Sequence, residues 1–293
     1  MKLLFAAWSQ GERAADIALA DDRETVTYAQ LFERVGVLAA KLRAAGVAPG
    51  DRVGLAFERS IELPIALFAT LATGACAWPF EPRLAPDELR RRLDVARARW
   101  IVGEAGQLSD PGLAGVPPNR LLDVATLSPA DPGPTIDRAG DDPALLFFTS
   151  GSTGASKGVL QSQRGLVGNA LGVVAHTALS RADRLLHVMP MHHVNGIHNQ
   201  LVAPLLAGAS VFIASRFRAE QMPDLFARVR PTIVTGVPTM YARMLPFAFA
   251  PGSLEALRML RCGSAPITPE LHRRIEEKFG RPLVVSYGLS EAT

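Results

Sequence analysis

Apolar residues fall into two alternating patterns along this chain. Short runs bounded by turn residues, at 53–57, 100–102 and 144–148, predict buried strands. Longer amphipathic segments lie between them. Residues 28–45, closed by Gly46, predict a helix, as do 61–73, ending at Gly74, and 86–97, with Pro86 in its first turn. A Pro/Gly/Asp-rich stretch at 128–143 reads as a long loop, after which the alternation resumes. Strands are expected at 185–189, 211–214, 233–234, 259–260 and 283–287, and helices at 166–178, 220–229, 239–245 and 269–279. Such β-α alternation predicts an α/β fold, with helices packed on largely parallel sheets. The loop divides it into a first sub-domain, 1–140, and a second, 141–293. Ligands in folds of this kind gather beyond the C-terminal ends of strands.

The segment Thr149-Ser150-Gly151-Ser152-Thr153-Gly154-Ala155-Ser156-Lys157-Gly158-Val159 follows the apolar run 144–148 directly and reads as a polar loop. Its glycines let main-chain N–H groups converge on an anion, its hydroxyls add donors, and Lys157 brings a mobile charge. That chemistry suits a polyphosphate better than the alternative, a solvated linker. A Walker A loop is excluded. Counted from Gly151, its second glycine would fall at Ser156, and Gly158 stands where the metal-binding hydroxyl should follow Lys157.

Composition narrows the field. With 293 residues and 48% hydrophobic content the chain can bury a large core. A net charge of +3, with Arg90-Arg91-Arg92 as the tightest basic cluster, lacks the long stripe that nucleic acid binding wants. No run approaches the roughly 20 apolar residues of a membrane span. Residues 1–8 only faintly suggest a signal peptide. The two cysteines, Cys76 and Cys262, sit in apolar contexts, so a reducing, cytoplasmic setting is expected.

Three further segments follow or end predicted strands. Met189-Pro190-Met191-His192-His193-Val194-Asn195-Gly196 holds two of four clustered histidines, without a carboxylate or cysteine at zinc-ligand spacing. Arg261-Cys262-Gly263-Ser264-Ala265-Pro266 offers small residues for close backbone approach, or simply a turn before the next helix. Ser286-Tyr287-Gly288-Leu289-Ser290-Glu291 brings together an aromatic face, a hydroxyl and a hard oxygen ligand.

Together these segments resemble the AMP-forming adenylating enzymes, which include acyl-CoA synthetases and peptide-synthetase adenylation domains. The phosphate loop resembles Thr-Ser-Gly-Ser/Thr-Thr-Gly-x-Pro-Lys-Gly, with Ser156 in place of proline. His193 matches the histidine of Pro-x-x-His-x-x-Gly, Gly263 to Pro266 match a Gly-Gly/Ser-Ala-Pro segment, and Tyr287 to Glu291 match Tyr-Gly-x-Thr/Ser-Glu. Residues 25–31 and the Gly236-Val237-Pro238-Thr239 segment echo further family motifs, in family order. The resemblance implies the large N-terminal domain of an adenylate-forming enzyme. Thr149, Ser150, Gly151, Ser152, Thr153, Gly154 and Lys157 would hold ATP phosphates. Gly263, Ser264, Ala265 and Pro266 would wall the adenine site. Tyr287 would stack on adenine beside Gly288, Ser290 would hold the α-phosphate, and Glu291 would bind Mg²⁺.

His193 would line the carboxylate pocket with Val237, Pro238 and Leu289, and Arg243 would suit a second carboxylate, as on malonate. Catalysis would rest on Lys157, His193 and Glu291. The expected reaction converts ATP and a small or medium carboxylic acid into acyl-adenylate and pyrophosphate, then into a CoA thioester. Loading of a carrier protein, as by a peptide-synthetase domain, and nucleotide binding without catalysis are the alternatives. Family members continue with a ribose-binding aspartate, a hinge and a small C-terminal domain bearing a catalytic lysine. This chain is therefore expected to be a fragment, weakly active or inactive alone.

Overall fold

The computed structural model describes residues 5, 6, 8, 13–81, 84–131, 136, 138–150 and 156–292, with the side chain of residue 150 excluded. Two sheets carry the fold. One has seven strands in the order β13-β12-β11-β9-β10-β1-β2, the other six in the order β6-β5-β3-β4-β7-β8. The seven-stranded sheet comprises β1 (Ile17–Ala20), β2 (Thr25–Thr27), β9 (Arg184–His187), β10 (Ser210–Ile213), β11 (Ile233–Gly236), β12 (Met259–Cys262) and β13 (Leu283–Val285). The six-stranded sheet comprises β3 (Arg52–Ala56), β4 (Cys76–Pro79), β5 (Trp100–Gly103), β6 (Leu121–Asp123), β7 (Pro143–Ser150) and β8 (Ser156–Ser162). Every pairing is parallel except β1–β2 and β7–β8, so each sheet ends in one antiparallel edge strand.

The helices form where the sequence punctuates them. The first, α1 (Tyr28–Ala44), opens on a capping box. Thr27 accepts from the Gln30 backbone N–H, and the Gln30 side chain accepts from the Thr27 backbone N–H. Its buried stripe, Tyr28, Leu31, Val35, Ala39 and Leu42, follows the helical period. Two helices follow on either side of β4: α2 (Glu62–Ala72), buried almost throughout, and α3 (Pro86–Ala96), an amphipathic surface helix. After β8 come α4 (Gln163–Thr177), α5 (Ala203–Ala207), α6 (Met222–Val229), α7 (Pro238–Met244) and α8 (Pro269–Phe279). A π-helix, Asn195–Val202, runs directly into α5.

Three expectations change. The sheets do not separate at residue 140. β1 pairs with β10 in the seven-stranded sheet, while β7 and β8 complete the six-stranded one. One apolar cluster therefore spans both, from Leu19 and Leu185 to Val53 and Phe147. Residues 149–150 and 156–159 are also less loop-like than their polarity suggests. β7 runs through Ser150, β8 starts at Ser156, and Thr149 faces Lys157 across the hairpin. Backbone pairing at a sheet edge demands little of side-chain polarity, so the polar residues did not prevent a strand. Finally, β9 and β13 end at His187 and Val285, two residues earlier than the apolar runs suggest. Among the described residues, no helix is long and apolar enough to cross a membrane.

Candidate active site

A cavity of about 1570 Å³ opens at the C-terminal ends of β9, β11, β12 and β13, where the six-stranded sheet contributes Phe148 and Thr149. Of the residues singled out by sequence, it gathers Thr149, His193, Val237, Ser264, Tyr287, Gly288, Leu289, Ser290 and Glu291. Segments separated by more than a hundred residues thus share one wall. Gly151, Ser152, Thr153 and Gly154 lie outside the described residues, as does the side chain of Ser150. Lys157 is exposed on β8 opposite Thr149 and does not line the cavity. Gly263 is buried just behind it; a methyl there would lie 2.8 Å from Ser286 Oγ and 3.2 Å from the Ser286 carbonyl oxygen. Ala265 and Pro266 continue the exposed turn past Ser264, and Pro238 is buried as the first residue of α7.

Arg243 is the misplaced expectation. The buried face of α7 is Pro238, Tyr241 and Met244, so Arg243 projects to solvent, away from the cavity.

Local structure explains how the histidine loop is held. Gly196 packs where a methyl would come 2.1 Å from the Pro190 carbonyl oxygen, so the first turn of the π-helix, just past His193, requires glycine. Asn195 donates to Ser264 Oγ at 3.3 Å and accepts from Asn199 at 2.9 Å, tying this loop to the small-residue turn after β12. Ser264 itself holds φ at 66°, a conformation uncommon outside glycine. Gln161 donates to the Ser290 carbonyl at 2.8 Å and accepts from His198 Nε2 at 2.7 Å, which anchors the last motif to β8.

Electrostatics set the charge states. Burial lowers the pKa of His193, with Glu81 raising it and Arg92 lowering it by smaller amounts, so the imidazole is neutral at pH 7. Its neighbour His192, 4.3 Å away ring to ring, is pushed down to about 3, and His198 to about 4, in both cases chiefly by burial. Burial raises the Cys262 thiol to about 11, which leaves it an inert core residue. Ser156, in the place of the family's proline, donates to Glu88 at 2.5 Å. That bond, with those from Arg92 and Arg91, holds the Glu88 carboxyl down near about 2.

Two arginines at the cavity were not legible as site residues. Arg59 donates to the carbonyls of Ala214, Met189 and His187 and to His187 Nδ1, while His187 Nε2 lies 2.9 Å from the Gly196 carbonyl. Accepting at Nδ1 and donating at Nε2, His187 is a neutral imidazole, as its complete burial beside Arg59 also requires. Burial lowers Arg59 to about 10, which still leaves it charged at neutral pH. The second is Arg261, buried on β12 and lining the cavity. A charged residue inside the apolar run Met259-Leu260-Arg261-Cys262 was the available signal.

Among the described residues, no three His, Cys, Asp or Glu side chains gather as a metal cage. Magnesium does not need one, because it keeps several waters and leans on substrate phosphates with one or two carboxylates. Glu291, Ser290 and Thr149 put a carboxylate and hydroxyl oxygens on the same cavity. That hard-oxygen set fits the ion.

Comparison with known proteins identifies the family. A sulfoacetate–CoA ligase of Cupriavidus necator is 34% identical over 287 residues, covering 92% of this chain and 55% of the relative. A feruloyl-CoA synthase of an Amycolatopsis species is 34% identical over 271 residues, covering 91% and 55%. The chain thus spans about half the length of the curated relatives it matches. Among solved structures, ATP-bound MatB from Rhodopseudomonas palustris superposes with a TM-score of 0.89 at 27% identity, covering 99% of this chain and 60% of that one. A family model described as "AMP-binding enzyme" matches residues 5–293, the same span whose motifs converge on the cavity. By fold, motif order and sequence, the chain belongs to the AMP-binding enzyme family.

Proposed function

We propose that this chain forms the nucleotide- and acid-binding part of an AMP-forming acid:CoA ligase. The observation that carries the reading is the convergence of Thr149, His193, Ser264 and Tyr287 to Glu291 on one cavity at the strand ends. Relatives named as a CoA ligase and a CoA synthase support the reaction type, and their different acids leave the substrate to the pocket itself. ATP enters with its adenine against Tyr287 and the turn at Ser264, and its phosphates toward Thr149, Ser290 and the hairpin that carries Lys157. His193, neutral, donates one hydrogen bond to the acid's carboxylate. A neutral donor fixes the direction of attack without quenching the nucleophilic oxygen as a full cation would.

That oxygen attacks the α-phosphorus of ATP, the bond to the bridging oxygen breaks, and pyrophosphate leaves with the electron pair. The CoA thiol, losing its proton, then attacks the acyl carbon and AMP departs. Bound Mg²⁺ would supply charge neutralisation for the phosphates, held by Glu291. Thr149 and Ser290, which line the cavity, contribute donors to oxygens whose charge changes in flight. Lys157, outside that lining on β8, would have to swing its flexible side chain in to reach the outgoing phosphates.

In the complete enzyme, Glu291→Ala is expected to lower acid-dependent pyrophosphate release by about 10²–10³-fold, the loss typical of one well-placed group at a developing charge. Release at the wild-type rate would overturn the assignment of Glu291. Pyrophosphate release with no acid showing dependence would overturn the reaction itself.

A further inference from the structure

Arg261 and Arg59 are both buried at the cavity, yet they differ in one respect. Arg59 has its guanidinium filled by three carbonyls and an imidazole. Arg261 is 5% exposed, and among the described residues its guanidinium has no hydrogen-bond acceptor and no carboxylate partner. Its Nε is fully buried and unpaired. A buried cation without a partner is costly, by an amount that native structures rarely tolerate outside a site.

Strand register locates it. Arg261 pairs with Thr235 of β11, and the next residue along β9 from the Val234–Leu186 pair is His187. Alternation along the strands puts Leu186, Val234, Leu260 and Cys262 into the apolar cluster under α6, α7 and α8. His187, Thr235 and Arg261 therefore form a polar row on the opposite face. Thr235 Oγ1, only 3% exposed as a residue, is also unpaired. His187 is already satisfied, so the unmet hydrogen-bonding capacity of this row is the Arg261 guanidinium with Thr235 next to it. Arg261 lines the same cavity as His193 and Met191, and Arg243 is not there to compete.

Resting on the acid:CoA ligase reading, we propose that Arg261 is the specificity-determining residue of the acid pocket. It binds a second anionic group, carboxylate or sulfonate, on a short acid whose reacting carboxylate is held by His193. A planar guanidinium pairs such groups through two parallel hydrogen bonds, which makes both the charge and its position part of recognition. The acids selected carry an anion at each end.

The test uses the complete enzyme, wild type and with Arg261→Met or Arg261→Lys, and acids matched in length: malonate against propionate, succinate against butyrate, with sulfoacetate as the sulfonate. Pyrophosphate release gives kcat/KM for each acid, and thermal shift without ATP gives binding independent of turnover. Wild type should prefer the dianionic member of at least one pair. Arg261→Met should cut that preference by about 100-fold or more, mainly through KM, as expected when one partner of a buried charge pair is removed. Arg261→Lys, which keeps the charge and loses the fork, should recover part of it. The ligand-free Arg261→Met protein should melt at or above the wild-type temperature, because it loses an unpaired buried charge, so folding does not confound the result.

A wild type that prefers propionate and butyrate, or an Arg261→Met variant with unchanged preference, overturns the proposal while leaving the ligase reading intact. Dianion-dependent thermal shift lost in Arg261→Met, with no acid supporting pyrophosphate release, keeps Arg261 as the anion contact and overturns the ligase reading instead.

Discussion

Burial depresses the pKa of His187, His192, His193 and His198, so the histidines around the cavity are uncharged in the folded protein at pH 7. Unfolded, each titrates near about 6.5. Between that value and the depressed native one, only the unfolded chain takes up the proton, so stability falls as pH drops below about 6.5 and is flat with respect to these groups above it. For His198 the window runs from about 6.5 down to about 4, and for His192 to about 3. Each contributes at most about 1.4 kcal/mol per pH unit. Urea midpoints measured from pH 8 to pH 5 should therefore decline only in the acid half. His198→Gln, which keeps a donor for Gln161 but cannot titrate, should decline less steeply; an unaltered slope would show that His198 is not the proton-excluding group described here. The sequence marked His193 as the carboxylate contact but said nothing of its charge, because a pKa follows from burial and neighbours rather than from residue order.

Elements were legible in proportion to their length and punctuation. α1 and α8 carry amphipathic stripes between a capping threonine and a closing glycine, and α3 opens on Pro86; the ends of all three fell within a residue or two of expectation. The strands β1, β2, β4 and β6 were not anticipated, although β5 and β9–β13 are as short. β1 is half alanine, β2 and β6 hold one or two apolar residues beside polar ones, and β4 ends on proline, all weak strand signals. The π-helix was missed for another reason. Its i to i+5 bonding displaces side chains from the 3.6-residue rhythm by which helices are read. That element still matters, because it starts two residues after His193 and presents the Gly196 carbonyl to His187. Gly196→Ala would drive a methyl to 2.1 Å from the Pro190 oxygen and 2.9 Å from its carbon, both backbone atoms that cannot rotate away. We expect a loss of about 1–3 kcal/mol from overpacking, seen as a lower melting temperature. A higher KM for the acid should accompany it as His193 shifts. A variant that melts and binds like the wild type would mean that the loop accommodates the methyl without moving.

At the scale of the molecule, the composition break at 128–143 pointed to two units, and the sheets tell a different story. The chain begins in the seven-stranded sheet with β1 and β2, leaves for β3 to β8, and returns at β9. The cavity depends on that crossing, since Thr149 and Phe148 arrive on β7 while Tyr287 to Glu291 arrive after β13. Between the sheets the helices bury a shared cluster in which Leu19 and Leu201 belong with Val53, Leu67 and Phe147. Tyr28 of α1 ties the beginning of the seven-stranded sheet to the chain's return at β10, donating from its hydroxyl to the Ala209 carbonyl at 2.7 Å, 181 residues away. A break at residue 140 would strip β10 of its partner β1 and leave β7 and β8 without β4. Each half would then expose part of the common core, a penalty of roughly 25 cal/mol per Å² of apolar surface that neither half could recover alone. The protein should therefore unfold in a single calorimetric transition whose van't Hoff and calorimetric enthalpies agree. Separately expressed 1–140 and 141–293 should each lack cooperative melting. Two resolved transitions, or a stable 1–140 piece, would instead make the loop a true domain boundary and the shared cluster a mere docking face.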